Sequence, residues 1–198
     1  LGLPAESLPP WLIRLRYPRG PHMRRGYVRL TRRAGDISDD TQLSIAVARS
    51  IDGQGRYLHE RFLDELRIWH PQRIGAGRAC ATAARRLARC RQPLLKADVA
   101  LSSAGNGALM RVAPLAIARA NDRSLDGLIA DVRQNAAVTH GGHEAIDGAV
   151  FVALLIALSL RADKGSFRGE ILEAAFSESS RLSGFPLPLL AAQAEVPG

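Results

Sequence analysis

Residues 144–161, EAIDGAVFVALLIALSLR, contain the longest apolar run of the chain, from Gly148 to Leu160. A bilayer crossing takes about 20 apolar residues, so this run reads as too short to span one, and Asp147 precedes it directly. The remaining reading is a buried central helix from Glu144 to Arg161. Its neighbours have the same character. Leu125, Leu128, Ile129, Val132 and Ala136 share one face of a helix predicted from Ser124 to about Val138. Phe167 to Leu182 predicts the last helix. Toward the N-terminus, Leu43, Ala46, Val47, Ser50 and Ile51 recur at i, i+3, i+4 spacing. Arg61 to Trp69 predicts a short helix that His70-Pro71 ends. Ile74-Gly-Ala-Gly77 then leads into an alanine-rich helix from Arg78 to about Arg91, with Arg78, Arg85, Arg86 and Arg89 facing outward. Residues 92–107 read as irregular and end in the turn signal Gly105-Asn106-Gly107. A helix from Ala108 to about Ala120 follows, with Pro114 as a kink or a first-turn residue. Residues 1–35 are expected to be loop and short turns, and residues 183–198 a poorly structured tail. With no repeat and no alternating strand, residues 1–198 read as one all-α domain.

The composition agrees. Of 198 residues, 46% are hydrophobic and only 5% aromatic, with alanine and leucine plentiful, which favours helices over a sheet-rich fold. Lys+Arg 27 against Asp+Glu 19 gives +8, almost all of it arginine, densest from Arg14 to Arg33. Such an excess suits either a solvated surface or an anionic partner or ligand. A nucleic-acid-binding domain rests on the charge alone, since most arginines are scattered. Cys80 and Cys90 lie ten positions apart on one predicted helix, roughly 15 Å at the helical rise, too far for a disulfide. That points to a reducing compartment. The opening LGLPAESLPP has no basic flank or apolar segment of the kind a signal peptide needs, so a cytoplasmic location without a membrane partner is expected.

Four stretches are candidates for chemistry. Ser38-Asp-Asp-Thr41 has good helix-capping residues, and Asp39 with Gln42 is spaced like a capping box. Yet a single cap needs one carboxylate, and Asp39 and Asp40 repel each other. With Ser38 they offer three hard oxygens, suited to Mg²⁺ or Mn²⁺; the rest of such a site has to come from elsewhere. In Ser102-Ser-Ala-Gly-Asn-Gly-Ala-Leu-Met-Arg111, glycines before a helix can turn backbone N–H groups toward a phosphate, although Gly-Asn-Gly is also a common turn. Val138-Thr-His-Gly-Gly-His-Glu-Ala145 reads as a helix-entry turn with a ligand-facing histidine; the glycines and the lack of a third soft ligand argue against zinc. Glu6 sits in a Pro-flanked loop, where a carboxylate is ordinarily surface decoration. No nucleophile elbow, P-loop or dinucleotide fingerprint is present.

In order and spacing, these stretches together resemble the ADP-ribosylglycohydrolase family, which includes ADP-ribosylarginine hydrolases and dinitrogenase-reductase-activating glycohydrolases. LGLPAE at 1–6 resembles the end of the family's opening motif, G-D-A-x-G-x-x-x-E. SDDTQLSIAVA at 38–48 resembles its [ST]-D-D-T metal motif, and Trp69 with IGAG at 74–77 its next spacer. SAGNGALMRVAPLAIA at 103–118 resembles S-x-G-N-G-x-x-M-R-x-A-P, and THGGHEAIDGAV at 139–150 the T-H-x-x-P-E-A helix. The resemblance runs from Leu1 to about Leu160. It implies an orthogonal all-α bundle whose cleft holds two Mg²⁺ or Mn²⁺ ions, and hydrolysis of the glycosidic bond between ADP-ribose and a protein side chain or another ADP-ribosyl acceptor. It also implies that Ser38, Asp39 and Asp40 bind metal and that Glu6 is the general acid/base or positions water. Ser103, Gly105, Asn106 and Gly107 would hold the diphosphate, and His140 would contact substrate. The implied partner is an ADP-ribosylated protein or small molecule.

The departures from the pattern are specific. The leading Gly-Asp of the first motif is absent, and His143 stands where the family has proline. The family's second acidic motif, D-x-D-[TS], does not follow Leu160 within these residues, where Asp163 is the last aspartate. The bundle and its metal site are therefore expected to be incomplete. A truncated non-catalytic relative, either a pseudoenzyme or a crystallin-like structural protein, is the alternative.

Overall fold

The computed structural model describes residues 8–20, 35–89, 105–162 and 168–183. Among them are eight α-helices and no β-strand: α1 Pro10–Arg16, α2 Asp39–Arg49, α3 His59–Trp69, α4 Arg78–Arg89, α5 Ala113–Ala118, α6 Asp126–Ala137, α7 His143–Arg161 and α8 Arg168–Ser183. The protein is all-α. Two single 3-10 turns, His70–Gln72 and Leu109–Arg111, and one isolated bridge between Ile51 and Tyr57 complete the regular structure described.

α7 is the axis of the molecule. It packs against α5, α6, α8 and the 3-10 turn at Leu109–Arg111, burying Ala145, Ala149, Val150, Ala153, Leu154 and Ala157. Small residues are frequent on the inner face, and Gly148 faces the Leu109 side chain at ordinary packing distance. Phe151 and Phe176 bring α7 and α8 together, with ring centroids 4.8 Å apart. Each fully buried leucine or phenylalanine contributes about 1.5–3 kcal/mol. The apolar run from Gly148 to Leu160 is part of a longer helix. The whole helix has 19 residues, with a mean hydropathy of 1.7 over its most apolar 18, and by length and composition alone is long and apolar enough to cross a membrane. Helices packed on several sides of it are what a core helix has.

A second group, α2, α3 and α4, joins this axis through α2, which packs on α5 and on the Leu109–Arg111 turn. Its inner faces carry Leu43 and Val47 from α2, Phe62 and Leu66 from α3, and Ala83 and Leu87 from α4.

Three elements depart from the sequence reading. Residues 1–35 were expected to be loop, but Pro10–Arg16 is helical, started by a proline whose fixed φ suits the first turn. It buries none of its residues, with Trp11 66% and Leu15 73% exposed, although Leu8, Trp11, Leu12 and Leu15 have the i, i+3, i+4, i+7 spacing of an apolar stripe. The helix expected from Ala108 to Ala120 is split. Pro114 has no N–H to give the Met110 carbonyl, and that carbonyl accepts from Ser44 Oγ at 3.2 Å instead. The chain makes a 3-10 turn and restarts at Ala113. Ser183, expected to begin the tail, is the last residue of α8; the rest of the tail lies outside the described residues.

Candidate functional site

The first wall of the site is the start of α2. Ser38 is the N-cap, and its carbonyl accepts the Gln42 N–H at 3.0 Å. Its hydroxyl makes no capping bond but donates to Asp40 Oδ2 at 2.8 Å. Asp39 and Asp40 occupy the first turn, where the helix dipole favours negative charge. The capping box expected of Gln42 does not form, because its side chain is used elsewhere. Gln42 Oε1 accepts from Trp69 Nε1 at 2.8 Å and from the Ile74 N–H at 3.2 Å, while Nε2 donates to the Gln72 carbonyl at 3.3 Å. One amide thereby fastens the Trp69–Ile74 segment to α2 and brings Gly75-Ala-Gly77 beside the carboxylates.

The second wall is the glycine turn. Asp39 and Asp40, Gly105, Asn106 and Gly107, and Arg78 at the start of α4 line one cleft of about 330 Å³. Gly107 is needed there by close approach: a Cβ would stand 2.8 Å from Cys80 Sγ and 3.0 Å from His140 Cε1. His140 lies directly behind the turn, 1% exposed, with Nδ1 2.8 Å from Thr139 Oγ1. Burial first, and the Arg111 charge second, push its pKa down to about 4, so it is neutral near pH 7. Beneath the turn, Arg111 is completely buried and its NH1 donates to the Gly107 carbonyl at 3.2 Å. Asn135, also fully buried, takes the other side of that guanidinium and donates to Tyr57 Oη at 3.1 Å. Burial raises the Tyr57 phenol well above its ordinary value and also raises the Cys80 thiol, so both stay neutral.

A family model described as ADP-ribosylglycohydrolase matches residues 1–195. The chain belongs to the ADP-ribosylglycohydrolase family. Over 94 residues it is 33% identical to the ADP-ribosyl-[dinitrogen reductase] glycohydrolase of Rhodospirillum rubrum, an alignment covering 47% of this chain and 31% of that protein.

Five of the nine residues singled out from sequence, Asp39, Asp40, Gly105, Asn106 and Gly107, line one cleft. Ser38 hydrogen-bonds to one of them, and His140 sits behind the glycine turn. Glu6 and Ser103 lie outside the described residues, as do Cys90 and most of the arginine-rich segment beyond Arg19. No group of three or more His, Cys, Asp or Glu side chains placed to hold a metal occurs among the described residues. Sequence reasoning missed Gln42 as a cross-chain tie, and Arg111 and Asn135 as the support of the glycine turn. Arg111 did leave a signal: it is the lone charge in the otherwise apolar run from Ala108 to Ala118.

Proposed function

We propose that this cleft takes part in hydrolysing the glycosidic bond that joins ADP-ribose to a protein side chain or a related acceptor. One observation carries the reading: the Asp39-Asp40 helix start and the Gly105-Asn106-Gly107 turn, far apart in sequence, line the same cavity. A cluster of hard anionic oxygens beside a glycine turn suits a ligand that joins hydroxyls, a diphosphate and a divalent cation. The name of the Rhodospirillum rubrum relative points to the same linkage class.

Ser38, Asp39 and Asp40 are the residues that would hold Mg²⁺ or Mn²⁺. Their donor set is all oxygen, which fits a hard cation, although it supplies part of a coordination shell and not a whole one. When bound, such an ion polarises water and ribose hydroxyls near the scissile bond. Gly105 to Gly107 would receive the diphosphate, with Gly107 letting the turn pack closely on Cys80 and His140. Glu6, by resemblance, would move the proton between water and the leaving group. Neutral His140 supports the turn from behind.

A non-catalytic relative is the second reading, favoured by the lack of a three-residue metal group among the described residues. Incubation with Mn²⁺ or Mg²⁺ and an ADP-ribosylated arginine or serine peptide separates the two. ADP-ribose released by the native chain and lost in Asp39→Asn/Asp40→Asn supports hydrolysis. Release that is equal in both, or absent from both, sinks it, and absence from both is what the second reading expects.

A further inference from the structure

Arg111 is the largest fully buried side chain described, and the partners of its guanidinium among the described residues are all neutral. Nε donates to Asn135 Oδ1 and NH2 to the Asn135 carbonyl, each at 2.8 Å. NH1 reaches the Gly107 carbonyl at 3.2 Å and Cys80 Sγ at 3.7 Å, and the Phe62 ring lies 5.1 Å away. A buried ion without a counter-charge is costly, and an apolar side chain of similar volume often serves packing as well or better. Packing alone therefore does not account for a charge at this position.

What the charge does reach is the cleft. Gly107 and Cys80 both form its wall, and both touch the guanidinium. The same charge is felt by His140, which packs against Gly107 beside Cys80. In a trans peptide the N–H points opposite the carbonyl, so drawing the Gly107 carbonyl inward turns the Ala108 N–H away from the guanidinium. The turn is thus held in one orientation over a fixed positive charge in a water-poor setting, where electrostatic attraction is strong.

We propose that Arg111 is a positioning residue for anion capture: its buried charge, uncompensated by a carboxylate among the described residues, draws a diphosphate onto the Gly105–Gly107 turn whose carbonyl it holds. This rests on the reading of the cleft as an ADP-ribose site. The decisive variant is Asn135→Asp, which keeps an oxygen acceptor beside Arg111 Nε but sets a negative charge against the guanidinium. Calorimetric titration of the full chain with inorganic diphosphate, and separately with adenosine, is compared with native protein beside a thermal unfolding scan.

The expected result is diphosphate affinity weakened about tenfold or more, with adenosine affinity little changed and unfolding still a single cooperative transition. Unaltered diphosphate affinity, an equal loss for both ligands, or a native chain that does not bind diphosphate would overturn the inference. If Asn135→Asp does not fold, Arg111→Lys against Arg111→Met decides it. Lysine keeping diphosphate affinity that methionine loses supports the inference, and equal affinities overturn it. A native chain that captures diphosphate but releases no ADP-ribose leaves this inference standing and sinks the proposed reaction.

Discussion

The two sides of the molecule are held together by different chemistry. Along the middle of α7 contact is apolar, with Leu154, Val150 and the Phe151–Phe176 pair in the core, and substitutions there act through volume. At its ends Asp147 pairs with Arg133, and Arg161 donates to the Ala120 and Asp122 carbonyls. Around the cleft, position is set by polar side chains that reach backbone: Gln42 to Gln72 and Ile74, Ser44 to Met110, Arg111 to Gly107 and Asn135. The contrast teaches that stability and site geometry are separable here. One side supplies free energy without direction, and the other supplies direction at modest net free energy.

The largest effect that should break this division is Leu154→Ala in α7. Burial at 0% exposure puts the loss at about 3–4 kcal/mol, read by chemical denaturation, while diphosphate affinity under folding conditions stays at the native value. An affinity that falls with it would join the two sides after all. Next comes pH. Folded His140 titrates near 4, against 6.5 ordinarily, so the unfolded chain takes up the proton first as pH falls. Native stability is therefore complete above about pH 6.5 and drops by about 3 kcal/mol on the way to pH 4. Denaturation curves for native protein and His140→Gln should converge over that window; parallel curves would place the imidazole in water.

Two smaller substitutions sharpen the contrast from the cleft side. Gly107→Ala forces a methyl against Cys80 and His140, costing about 2 kcal/mol as overpacking, and it should weaken diphosphate binding more than it lowers stability. Adding Cys80→Ala relieves part of both losses, and a double-mutant cycle measures how much. Gln42→Ala removes the partner of Trp69 Nε1 and of the Ile74 N–H. About 1 kcal/mol is expected, together with altered tryptophan fluorescence as the Trp69–Ile74 segment loosens; unchanged emission would show that segment is held by other contacts.

Much of the fold was legible because it rests on periodicity. The spacing of Leu128, Ile129 and Val132, and the apolar run after Asp147, placed α6 and α7 within a residue or two. The misses have local causes. The stripe of Leu8, Trp11, Leu12 and Leu15 in α1 is short and set among prolines and arginines, and Pro114 ends one helical ladder while starting another. For the site, Asp39, Asp40 and the glycine turn were legible as unusual residues in ordered motifs. The resemblance, not the spacing, joined them. Gln42, Arg111 and Asn135 were harder to see because their roles depend on contacts between segments distant in sequence, which no local pattern encodes.

The central claim is that the α2 carboxylates and the glycine turn form one ligand site. Calorimetric titration of the chain with ADP-ribose in the presence of Mn²⁺ tests it most directly, comparing native protein with Asp39→Asn/Asp40→Asn and with Gly107→Ala. The account predicts a single binding isotherm that both variants weaken. ADP-ribose binding that survives unchanged in either one, with the chain folded, would contradict it.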